Sequence, residues 1–111
     1  MTDKELLELA AKAAGIEGLQ WESDGTMQNR MNRPTIPYDC HGMLSAIDWN
    51  PLKSDADALR LAVKLGIGFE LNFTNNRAWS NGTVEEYTDD PYAATRRAIV
   101  RAAAEIGKKT K

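Results

Sequence analysis

A chain of 111 residues, 42% apolar and 27% charged, has the size and composition of one globular domain, which excludes a largely disordered polypeptide and lets folding withdraw roughly two-thirds of the unfolded surface from water. A single cysteine, Cys40, and a single histidine, His41, exclude an internal disulfide and a four-ligand Cys/His zinc site, so neither metal nor cofactor is expected and a reducing compartment is. The net charge of −2 divides into +5 from residue 92 onward and −7 over residues 1–91, a basic end on an acidic body that repels polyanions.

Along the chain, Met1-Thr2-Asp3-Lys4-Glu5 lacks the basic start and apolar run of a secretory signal, and no apolar stretch reaches the ~18 residues that suggest a membrane span. The expected location is therefore cytoplasmic, with no membrane partner. Thr2 or Asp3 caps a first helix whose Leu6, Leu7, Leu9, Ala10, Ala13 and Ala14 form an apolar face before Gly15. Leu19 and Trp21, two apart between Gly18 and Glu22, suit a short strand.

Residues 23–43 hold Gly25, Pro34, Pro37 and Gly42 with few aliphatic side chains, which predicts a long irregular loop. Such a loop inside a compact domain is more often functional or disordered than inert. Beyond it, Asp48-Trp49-Asn50-Pro51-Leu52 predicts a turn, and Ser54 with Asp55 and Asp57 opens a second helix. Ala58, Leu59, Leu61, Ala62, Val63 and Leu65 mark that helix as mostly buried, and Gly66 ends it. Ile67, Phe69, Leu71 and Phe73 alternate with Gly68, Glu70 and Asn72, the signature of a strand with one face on a core. Asn75-Asn76 and the stronger Asn81-Gly82 are turn signals that fold residues 67–88 into a three-stranded antiparallel meander. Asp90-Pro91 starts a last helix with Tyr92, Ile99, Ala102, Ala103 and Ile106 on one side and Gly107 at the end.

The expected architecture is a single α+β domain over 1–111: a small three-stranded antiparallel sheet packed with three helices in a layered sandwich, a loop at 23–43 and a short basic tail at 108–111. An exposed edge of that sheet leaves monomer and homodimer both open.

The segments Trp49–Leu52, Asp55–Leu65 and Ala94–Gly107, together with the first helix, resemble small uncharacterised proteins of tailed phages and prophages of the "ABA sandwich" (helix, sheet, helix) type. The resemblance leaves out residues 23–43. It implies an accessory protein in the bacterial cytoplasm that binds a host or phage partner and counters a host defence, and it carries over no catalytic residues.

For chemistry, the adjacent Cys40 and His41 are the one pairing with nucleophilic potential, although neighbours in sequence point apart and an ordinary loop cysteine is the simpler reading. Asp55/Asp57, Glu85/Glu86 and Asp89/Asp90 are explained by helix starts and strand alternation better than by a metal. Trp21, Arg30, Arg33, Tyr38 and His41 have the composition of a partner or ligand contact. The alternative is a nucleic-acid surface of Arg96, Arg97, Arg101, Lys108 and Lys109, with cations placed to neutralise phosphates.

Overall fold

The computed structural model describes the backbone of residues 2–23, 31–40 and 43–110, and the side chains of 2–22, 33–37 and 46–110. In chain order the elements are α1 (Asp3–Ala13), β1 (Gln20–Ser23), β2 (Met31–Cys40), β3 (Met43–Asp48), α2 (Asp55–Leu65), β4 (Glu70–Asn72), β5 (Arg77–Ser80), β6 (Thr83–Glu86) and α3 (Pro91–Lys109). Three helices therefore accompany two antiparallel three-stranded sheets, ordered β1-β2-β3 and β4-β5-β6.

The helix ends follow from their capping residues. Thr2 Oγ1 accepts the Glu5 N–H at 3.1 Å, Ser54 Oγ accepts that of Asp57 at 3.2 Å, and Asp90 Oδ1 accepts that of Ala93 at 3.0 Å beside Pro91. Each satisfies a backbone donor that the first helical turn leaves without a partner. Gly66, at φ 67°, ends α2 by returning its N–H to the Ala62 and Val63 carbonyls. Asn81 and Gly82, both at positive φ, form the tight turn that the right-handed twist of β5 and β6 favours.

The meander predicted for residues 67–88 is present as the second sheet, and the short strand read around Leu19 and Trp21 is β1, but its pairing with β2 and β3 into a first sheet was not foreseen. The region read as an irregular loop contains β2, paired to β1 through Trp21↔Pro34 and Glu22↔Arg33 and to β3 from Thr35↔Asp48 to Cys40↔Met43. Prolines ordinarily argue against a central strand because each deletes a ladder donor. Here both fall at the ends of the ladders, where the loss is small. The Pro34 carbonyl accepts the Trp49 N–H at 3.0 Å, just past the end of β3, so the Pro34 nitrogen points to that side as well. Three residues on, Pro37 faces the other way, toward Gly18, before β1 has begun.

α3 is the axis of the packing. It lies against α1 and α2 and reaches across to all three strands of the second sheet. A helix with neighbours on several sides needs small or apolar residues around most of its circumference. α3 accordingly buries Ala94, Ala98, Ile99, Val100, Ala102, Ala103, Ala104 and Gly107. The main core joins Ile99, Val100, Ala103 and Ala104 to Leu6, Leu7, Ala10 and Ala11 of α1, Leu61 and Ala62 of α2, and Trp49. Ala78, Ala94 and Ala98 form a smaller core under β5.

Three expectations about burial are corrected. The first is the strand at 67–73, whose Phe69, Leu71 and Phe73 were expected on a core and are 43%, 39% and 70% exposed; the other two lie on helices. α2 buries only Ala58, Leu61 and Ala62, leaving Leu59 53% and Val63 73% exposed. Tyr92, placed by periodicity on the inner side of α3, is 66% exposed. In both cases the apolar pattern is wider than the neighbouring elements reach.

Gly107 marks the closest approach of α1 and α3. A Cβ there would overlap the backbone carbonyl of Leu9. Gly107→Ala should therefore destabilise the fold by about 1–3 kcal/mol through overpacking, against the ~1 kcal/mol gain that helix propensity alone predicts. Urea denaturation reads the sign directly, and a stabilised variant would refute this packing.

Candidate interaction surfaces

The first sheet carries part of the residue set anticipated around Trp21. Trp21 and Arg33 sit on adjacent strands, but the pleat sends them to opposite faces, because Arg33 pairs with Glu22 and Trp21 with Pro34. Trp21 packs toward the main core. Its Nε1 donates to Glu8 Oε1 at 3.2 Å, and Lys4 Nζ stands 4.9 Å from the ring centroid. Arg33 spans the other face, 2.7 Å from Glu22 and 3.3 Å from Asp48. Both side chains thus tie their own domain together. Tyr38 lies in β2 opposite Ser45, and Cys40 opposite Met43, with their side chains outside the described residues. Arg30 and His41 are outside them entirely.

The basic residues of α3 are largely engaged with carboxylates. The Arg96 side chain, only 16% exposed, donates from Nη1 to Asp55 at 2.6 Å and from Nε to the Leu52 carbonyl at 2.9 Å. Arg97 reaches Asp3 at 3.0 Å and Glu85 at 3.7 Å, and Arg101 reaches Glu85 at 2.6 Å. Lys108 pairs with Glu105 at 3.0 Å. Lys109 has no ion pair among the described residues. A phosphate at this face would have to displace acids already in place, and that competition weakens the nucleic-acid alternative.

A third surface was not anticipated. α2, β4 and the first two turns of α3 enclose a groove of about 450 Å³ whose lining is mostly apolar. Its walls carry Leu59 from α2, Phe69, Leu71 and Phe73 from the β4 segment, and Tyr92 and Ile99 from α3, while the Arg96–Asp55 pair also borders it. The register explains why strand side chains face it. Leu71 is opposite Ala78, which packs on Ala94 and Ala98, so Leu71 lies on the helix-facing side of the sheet. Phe69 and Phe73, two residues to either side, share that side by alternation.

In sequence, these residues looked like ordinary core positions. A usable signal was present in the excess: α2 offers apolar residues at Leu59 and Val63 as well as at Ala58, Leu61 and Ala62, more than a helix with one covered face can bury. Among the described residues, no three His, Cys, Asp or Glu side chains converge as a metal site would require. Compared with known proteins, the chain matches no family model, no curated protein and no solved structure.

Glu85, only 20% exposed in its side chain, accepts from Arg101 and stands beside Arg97. Glu85→Gln should cost about 1 kcal/mol by leaving Arg101 without its acid, Arg97 keeping Asp3, measured by chemical denaturation. Unchanged stability would mean that the cluster is a solvated surface feature with no part in holding α3 to β6.

Proposed function

We propose that this chain is a non-enzymatic accessory protein of a tailed phage that works by holding a protein partner, of host or phage origin, in the bacterial cytoplasm. The observation that carries the binding role is the open apolar groove between α2, β4 and α3. A soluble domain seldom leaves such a surface to water unless something docks there. Its composition also suits a contact: the aromatic side chains of Phe69, Phe73 and Tyr92 line it together with the charged Asp55 and Arg96.

The phage origin, and the countering of a host defence that goes with it, rest on the resemblance of the first helix and residues 49–107 to small phage proteins. The layered helix–sheet–helix arrangement belongs to the same proposal. It rests on the resemblance alone, since α3 packs on one face of the second sheet with α1 and α2 on its far side. The Trp21 and Arg33 set is the competing contact surface, and its internal ion pairs and hydrogen bonds favour the groove over it.

Affinity capture from bacterial lysate, using cells that make both tagged and untagged copies, separates the two surfaces. Wild type and Arg33→Glu should each retain one protein in near-stoichiometric amount, and Phe73→Glu should lose it by about tenfold or more, as expected for an aromatic at the centre of a contact. Retention that is insensitive to Phe73→Glu but abolished by Arg33→Glu would move the site to the first sheet.

A further inference from the structure

β4 is an edge strand of the second sheet, and its helix-facing side is uncovered because α3 packs mainly over β5 and β6. Phe69, Leu71 and Phe73 therefore remain 39–70% exposed, and Leu59 on α2 continues the apolar lining, with Val63 exposed one turn along the same helix. Edge strands are ordinarily protected from pairing by charge, proline or a bulge. Within β4 the single charged residue is Glu70, which alternation places on the opposite face. The alternation itself is that of a strand with one face covered, and a single copy does not supply the cover.

Resting on the binding reading above, we infer that the occupant of this groove is a second copy of the chain, docked about a two-fold axis at Leu71. The two β4 strands then run antiparallel, and the β4-β5-β6 sheets of the two copies become one continuous sheet. The register follows from the sequence. Centring on Leu71 sets Phe69 opposite the partner's Phe73 on the apolar face and Glu70 opposite the partner's Asn72 on the other. Centring on Glu70 would oppose two carboxylates, which is unfavourable, and centring on Asn72 would leave Phe69 beyond the paired residues.

The area is also of the right size. With large side chains at roughly 150–250 Å² each, the exposed parts of Leu59, Val63, Phe69, Leu71, Phe73 and Tyr92 amount to about 600 Å² per copy. A standard stable interface takes ~800 Å² per partner, so this apolar surface is most of one half before any polar rim is added. The contact is isologous, the same patch meeting itself, which closes as a dimer with the patch of each copy used.

Light scattering and sedimentation equilibrium on the purified full chain test this. Wild type should show twice the 12.3 kDa chain mass at micromolar concentration. Phe73→Glu and Leu71→Lys should raise the dimer dissociation constant by about tenfold or more, and Val84→Lys, on the other face of the sheet, should leave it unchanged. Phe73 is 70% exposed, so its substitution should keep the wild-type circular dichroism even if Leu71→Lys does not. A monomer throughout, or a dimer indifferent to Phe73→Glu, overturns the inference. A monomeric wild type that still retains a host protein at the groove overturns only the two-fold contact. Groove variants that alter neither self-association nor capture overturn the binding reading as well.

Discussion

The close approach of α1 to α3 at Gly107 is the constraint on which the rest of the packing depends. With the Leu9 carbonyl against a residue that has no side chain, the two helices pack backbone to backbone. Alanines at 10, 11, 103 and 104, each no more than 2% exposed, continue the contact. Small residues gain closeness at the expense of apolar area, so α3 recovers burial by taking several neighbours. Thr83 fixes it on the sheet side, its Oγ1 donating within 2.8 Å of the Ala98 carbonyl. Arg96 fixes it on the α2 side through Asp55 and the Leu52 carbonyl.

That arrangement decides what stays uncovered. A helix shared among α1, α2, β5 and β6 covers β4 little, and the outer face of α2 turns away from it. The apolar groove is thus a by-product of how α3 is used, and its residues have core-like sequence patterns because a contact of core type is what they are suited to make. The cationic side of α3, by contrast, is spent on holding the fold together. Arg96, Arg97 and Arg101 each meet an acid from another element.

Much of the second half of the chain was legible in the sequence because its signals are local. The caps Ser54 and Asp90, the Gly66 stop and the Asn81-Gly82 turn each act within a few residues. Of the first sheet, only the short strand at Trp21 was legible. Pro34 and Pro37 are loop signals by local rules and become harmless only through where β1 and β3 end, a fact of register that no local pattern carries. The groove escaped for a similar reason, since alternation at 69–73 reports that one face wants cover but not which element provides it. Of the site set anticipated on the first sheet, Trp21 and Arg33 proved to be committed to Glu8, Glu22 and Asp48, partners distant in sequence or across a strand.

The central claim, that the face of β4 left bare by α3 is covered by another copy, is tested most directly by amide hydrogen exchange over Phe69–Phe73 as a function of protein concentration. Inter-strand pairing would protect part of this backbone at high concentration, and dilution would release it, while α1 and α3 exchange slowly throughout. Exchange in this segment that is equally fast at every concentration would contradict the account.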